Sequence, residues 1–123
     1  MSRIISFFFQ LTLQIKLYHF QTLSYSRHKA SDELHSKILE LSDKFVEVFI
    51  AKYGRPKLQE PHNTIKISNL NDTQMIHYLK KTIVFLNSDI PKHIDPELDT
   101  DLINIRDDLL VNVNQALYLF TLE

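Results

Sequence analysis

Cysteine is absent from this 123-residue chain. Disulfides, thiol nucleophiles and thiolate metal sites are therefore excluded, and histidine, aspartate and glutamate remain as the strong metal ligands. Glycine occurs once and proline four times. An all-β chain needs many tight turns and draws on glycine for most of them, so a single glycine argues for helices. An excess of charge of one sign is missing too. The formal net charge is -1 and there is no basic tail, so strong electrostatic attraction to DNA or RNA is not expected. Long apolar runs are also lacking. The run from Ile4 to Phe9 stops at Gln10, and Thr12, Gln14 and Lys16 follow. A membrane span needs about 20 apolar residues, and no small-residue cleavage site marks a signal peptide. The segment reads as the start of an amphipathic helix. No phosphate loop, nucleophile triad or glycine-rich motif supports a hydrolase or a nucleotide-binding protein.

What is present is enough apolar material, 44% of the residues, to build the core of one domain over residues 1–123. Four helical segments are predicted. The first runs from about Arg3 to Leu23, with Ile5, Phe8, Thr12, Ile15 and His19 on one face at 100° per residue. The second runs from about Arg27 to Tyr53. Gly54 followed by Arg55-Pro56 is its stop, a glycine just past the last helical residue and then a proline. Residues 55–70 contain Pro56 and Pro61 and show no periodicity. Asn71-Asp72-Thr73 caps a third helix to about Asn87, with the stripe Met75, Leu79, Ile83 and Leu86. Pro96 suits the first turn of a fourth helix capped by Asp95. That helix carries Leu98, Leu102, Ile105, Leu109, Val113, Ala116 and Phe120 on one face.

Connection lengths constrain the topology. Helices one and two are joined within a few residues and should form an antiparallel hairpin. The connection between helices two and three is about 16 residues, able to span on the order of 50 Å when extended. A compact domain rarely carries such a loop without cause. One cause is a crossover that returns along the bundle and leaves helices two and three parallel; the alternative is a disordered loop on an up-down bundle.

Helix two carries the chemistry. Leu34, Ile38, Leu41, Phe45 and Val48 form an ordinary core stripe. The opposite side mixes His28, Asp32, Asp43 and Glu47 with Leu39, Val46 and Ile50. A surface helix has one apolar stripe and one solvated face, so a mixed second face points to packing against another helix or another subunit. Asp43 and Glu47 stand at i and i+4 and repel each other, which a lysine, an arginine or a metal ion could offset. His19 and His28 flank the first turn, where a hairpin brings them together. His28 and Asp43 are 15 residues apart, about 22 Å on one helix. They cannot bind one ion within a chain. Across a twofold axis, with two copies of helix two antiparallel, His19 and His28 of one subunit would face Asp43 and Glu47 of the other, giving two equivalent sites.

His19-Phe20-Gln21-Thr22, His28 and Asp43-Lys44-Phe45-Val46-Glu47 resemble the Dps mini-ferritins of the ferritin-like superfamily. That family pairs a histidine ending its first helix with a second opening the next, and places Asp-x-x-x-Glu 15 residues on. The chain is more similar still to short phage and large-virus proteins of ferritin-like type. Leu17 to Thr22, His28-Lys29-Ala30, Tyr53-Gly54-Arg55 and Asp101 to Asp107 carry that likeness. The resemblance implies a ferritin-like four-helix bundle and an intersubunit ferroxidase-type site with His19, His28, Asp43 and Glu47 as metal ligands. Iron is the metal it implies, with manganese or zinc as alternatives, and the state it implies is a homodimer or larger homo-oligomer. The expected location is the cytoplasm, that of the host if the protein is viral.

Each residue also has a plainer role open to it. His19 could cap the hairpin by hydrogen bonds, and His28 could be a solvated first-turn residue. Asp43 and Glu47 could form a charged face paired with Lys44, Lys37 or a partner chain. Asp107 and Asp108 read as a solvated acidic pair, with Asp108 as a reserve ligand beside the core stripe. His77 reads as a surface residue that a crossover topology could bring toward His19. The Phe7–Phe9 run reads as core, or as cover for a subunit interface. Two functions follow: a metal-binding protein that could oxidise ferrous iron, or a structural or interaction bundle without that chemistry, such as a viral accessory protein.

Overall fold

The computed structural model describes residues 1–122. It holds α1 (Ser2–Gln21), α2 (Tyr25–Tyr53), α3 (Asp72–Ser88) and α4 (Thr100–Leu119), with a 3-10 turn at Ile90–His93. There is no strand among the described residues. None of the helices is long and apolar enough to cross a membrane.

Thr22, Leu23 and Ser24 alone separate α1 from α2. Ser24 caps α2 by accepting from the Arg27 backbone N–H at 3.3 Å, which satisfies one of the orphan donors of the first turn. So short a turn forces an antiparallel hairpin. α2 ends at Tyr53, and Gly54 takes φ 92°, its N–H donating to the Ile50 carbonyl at 2.9 Å. Only glycine adopts such a backbone angle without strain, so the lone glycine stops the helix as expected.

The connection from α2 to α3 is an ordered crossover laid along α1. The Gln59 N–H donates to Ser2 Oγ at 2.9 Å, and Gln10 Nε2 donates to the Lys66 carbonyl at 2.8 Å. Gln14 donates to the Ser68 carbonyl at 2.7 Å and accepts from the Ser68 N–H at 3.0 Å, while Gln21 donates to Asn69 at 2.8 Å. Gln10, Gln14 and Gln21 share one helix face. These polar residues, which interrupt the apolar pattern of α1, form the strip that holds the crossover and satisfies its backbone. The crossover runs the same way as α1, so α3 starts beside the end of α1 and runs parallel to α2. A capping box starts α3, with Asn71 accepting from the Gln74 N–H and Gln74 accepting from the Asn71 N–H.

The helix directions, in order, are up, down, down, up. One end gathers the last turns of α1 and α4 and the first turns of α2 and α3. Arg27 ties that end together. Its guanidinium donates to Tyr18 Oη, to the Asp72 carbonyl and to the Phe120 carbonyl, and lies 5.0 Å over the Phe120 ring. At the other end Arg3 pairs with Asp89 at 2.6 Å, and Phe7 stacks on Phe85 with centroids 3.8 Å apart. The core between them includes Ile4, Leu11, Ile15, Ile38, Phe45, Met75, Leu79, Leu86, Leu102 and Leu109, all fully buried. Phe8 belongs to it, but Phe9 does not.

The start of α4 differs from expectation. The helix begins at Thr100, not at Pro96, and Leu98 is 78% exposed instead of joining the core stripe. Asp95 does cap, but it caps a separate turn, accepting from the N–H groups of Glu97 and Leu98. The cause is Asp99. Its carboxylate is buried and accepts from Tyr53 Oη, from Lys52 Nζ at 3.0 Å and from the Asp95 N–H at 2.8 Å. Fixed at the end of α2 in this way, Asp99 lets the helix start only after it. From Leu102 onward the predicted stripe of α4 is buried as read.

Candidate functional site

His19 in the last turn of α1 and His28 in the first turn of α2 meet as a stacked pair, with ring centroids 3.9 Å apart and planes 19° from parallel. Their hydrogen bonds are reciprocal. His19 Nδ1 lies 2.8 Å from the His28 carbonyl, and His28 Nδ1 lies 2.9 Å from the His19 carbonyl. A carbonyl only accepts, so each Nδ1 must carry the proton. When such a ring is neutral its lone pair is on Nε2, the tautomer in which imidazole binds metals while its other nitrogen holds it in place. His19 is buried and His28 is exposed. Ser31 donates to the His28 carbonyl at 3.1 Å, completing a compact polar joint between the helices.

Asp32, one turn beyond His28, was not singled out by the sequence pattern as a ligand. Its Oδ1 stands 4.0 Å from His19 Nε2. The i, i+4 spacing from His28 to Asp32 was the available signal. His35 lies further along the same face. Burial, and then the charge of Lys16, holds its imidazole below the ordinary histidine range.

Asp43 and Glu47 are both exposed on α2, and neither forms an ion pair among the described residues. Pairing with Lys44 or Lys37 is thus not what they do. Hydrogen bonding to Asp43 and its charge push the Glu47 carboxyl above the usual range. Two carboxylates on adjacent turns without a cation leave an unsatisfied concentration of negative charge. They are about four turns away from His28 on the same helix. Among the described residues, no three or more histidine and carboxylate groups come close enough to hold a metal ion within one chain. His77 is exposed on α3, and Asp108 is exposed on α4. Asp107 receives the Arg106 side chain at 2.9 Å.

The α1–α2 hairpin carries His28, Asp32, Asp43 and Glu47 as exposed residues. Leu39 of α2 is 54% exposed beside them, and a groove of about 290 Å³ lies between the helices, lined by Ile5, Phe9, Leu39, Asp43 and Val46 among others. On the mixed second face of α2 the polar residues are therefore exposed, while Val46 packs against the core.

The match of residues 19–120 to the model of a family of unknown function, DUF5856, shows that the chain belongs to that family. It is also 31% identical over 105 residues to an uncharacterised 14.6 kDa protein encoded in the mobD-ri intergenic region of Enterobacteria phage T4. The alignment covers 85% of this chain and 75% of the phage protein. No solved structure matches.

Proposed function

We propose that this member of an uncharacterised, phage-represented family is a ferritin-like, Dps-like metal-binding protein. Its sites are completed between subunits, where His19 and His28 of one subunit meet Asp43 and Glu47 of the partner subunit. The observation that carries the reading is the reciprocal histidine joint. Hydrogen bonds commit both Nδ1 atoms to backbone carbonyls and leave Nε2 of each ring as the nitrogen a metal would take, and Asp43 and Glu47 stand exposed on the same hairpin with no ion pair among the described residues. The helix order, with a single long crossover between parallel α2 and α3, is the connectivity of ferritin-like bundles and supports the same reading.

The donor set fits the metal. Imidazole nitrogens and carboxylate oxygens together suit Fe(II), Mn(II) or Zn(II), with no thiolate to favour softer ions. Iron is the metal proposed here, and it would be the substrate that the site oxidises. Ferrous iron held at the site would pass one electron per ion to peroxide or dioxygen. With peroxide, two ferrous ions and two protons yield two ferric ions and two waters. This chain's residues would bind and orient the ion, and the Asp32 carboxylate, 4.0 Å from His19 Nε2, adds negative charge on the side where the ion would sit. The host cytoplasm is the setting proposed for it.

Titration of purified protein with Fe(II), Mn(II) and Zn(II) tests the proposal. Stoichiometric uptake that is lost in both His28→Ala and Asp43→Ala is expected. Absence of affinity tighter than the micromolar range for all three metals would sink it. That outcome would favour the other reading, a structural or interaction bundle.

A further inference from the structure

The net charge of -1 hides a division along the chain. Residues 1–23 and 55–88, which form α1, the crossover and α3, hold seven lysines and arginines against two carboxylates. From residue 89 on the balance is reversed, two against eight. α1 itself contains no carboxylate. The crossover lies along α1, and Phe7 of α1 stacks on Phe85 of α3, so the positive segments are neighbours in space. A region with so few carboxylates attracts anions.

A cleft of about 460 Å³ opens at the end where α1 starts. Its size falls inside the roughly 300–1,000 Å³ range of small-molecule sites. Its lining includes Ser2 and Arg3 of α1, Lys57, Glu60 and His62 of the crossover, and His93 at the end of the 3-10 turn. Arg3 is anchored there. Asp89 takes one arm of the guanidinium at 2.6 Å, and the Phe85 ring lies 5.5 Å from it, which leaves the other N–H groups of the fork to donate. Ser2 Oγ accepts from the Gln59 N–H and keeps its own proton to donate. Lys57, His62 and His93 form no ion pair among the described residues, and Glu60 neutralises none of them. Burial first, and then the positive charge around it, Arg3 and Lys92 included, holds the His93 imidazole below the ordinary histidine range against the opposing charge of Asp89. Cationic groups gathered without a counterion repel one another, and a bound anion relieves that repulsion.

We propose that this cleft binds a phosphate group, either free phosphate or the monoester of a small molecule. Its donors are the kinds that pair with phosphate oxygens: a guanidinium fork, an ammonium, imidazoles and a hydroxyl. The same guanidinium and ammonium exclude a metal cation. No phenylalanine, tyrosine or tryptophan lines the cleft, so the platform on which bases stack is missing, and recognition rests on the phosphate itself. The site stands at the opposite end of the bundle from His19 and His28 and goes beyond the metal reading without depending on it.

Titration of the full chain with inorganic phosphate and, separately, with glycerol phosphate tests the proposal, at constant ionic strength in chloride and followed by amide and imidazole NMR. Saturable shifts confined to the segments around Arg3, Lys57–His62 and His93 are expected. Tighter binding of the ester assigns the site to a phosphorylated small molecule, and equal binding assigns it to free phosphate. Lys57→Gln and His93→Gln, both at exposed positions, should each weaken binding by about tenfold. Glu60→Gln removes the one carboxylate on the lining and should tighten it, a gain that misfolding cannot imitate. Lys16→Gln lies in the same positive half but outside the cleft and should leave the affinity unchanged. Shifts that never saturate, or that Lys57→Gln and Lys16→Gln weaken equally, overturn the proposal, since they report only general ionic attraction. A single-stranded oligonucleotide that shifts these residues when neither small phosphate does also overturns it and makes the face a nucleic-acid surface.

Discussion

Arg27 has a place in the molecule that its position in the sequence does not announce. It looks like a first-turn surface residue of α2, yet its guanidinium reaches a carbonyl in α3, a carbonyl at the end of α4 and the hydroxyl of Tyr18 in α1. Replacing it with methionine keeps the stem and removes the fork. The part-buried Phe120 carbonyl and the exposed Asp72 carbonyl lose a charged donor, so roughly 2 kcal/mol of stability should be lost, read as a lower urea midpoint with an unchanged slope. Asp99 is the corresponding residue at the other end. The bond from Tyr53, then that from the Asp95 backbone, and the Lys52 bond hold its carboxyl below the ordinary aspartate range. A depressed folded-state value means stability that is complete above the ordinary value and is lost as pH falls toward the folded one. The melting temperature of the native chain should therefore fall with acid below the ordinary aspartate range. Asp99→Asn should melt lower at neutral pH and show a flatter acid limb; an identical acid profile would contradict this account.

At the level of elements, the crossover is the informative segment. Its sequence has two prolines, one glycine before it and no periodicity, which is equally the signature of an ordered strap and of a loose loop. The decision lies in α1, where three glutamines share a face and bind the strap. Gln14 is the sharpest case, since it is buried and makes both a donated and an accepted bond to Ser68. Gln14→Ala should lower stability by about 1–2 kcal/mol and speed amide hydrogen exchange across residues 59–69, while α2 and α4 stay protected. Uniform loss of protection would mean that the strap and the bundle melt together. The misplaced start of α4 has the same origin. Asp95-Pro96 is a sound local start signal, and it was overruled by a part-buried ion pair that the buried Asp99 makes to a helix more than forty residues earlier.

For the whole molecule, a site completed between subunits has a thermodynamic consequence. If a second copy supplies half of it, folding and association are linked, and apparent stability rises with chain concentration. With Mn(II) or Zn(II) present, the melting temperature of the native chain should increase with chain concentration, and that of His28→Ala should not. A concentration-independent melt would place the folded unit in the monomer.

Several features were legible in the residues themselves. The helical class followed from one glycine and from 3.6-residue periodicity. The stop at Gly54, the cap at Asn71 and most of the core stripes followed from local backbone chemistry that needs no distant partner. The proximity of His19 and His28 followed from a turn too short to allow anything but a hairpin. Chain geometry likewise showed that His28 and Asp43 cannot share an ion within one subunit. Tertiary structure alone decided the rest. It fixed the path of the crossover, the burial of Gln14 and Asp99, the reach of Arg27 and the exposure of Leu98. It also tied both imidazoles at Nδ1 and left Asp43 and Glu47 without a cation. Each of these depends on groups tens of residues apart in the chain, and periodicity carries no record of which of them will meet.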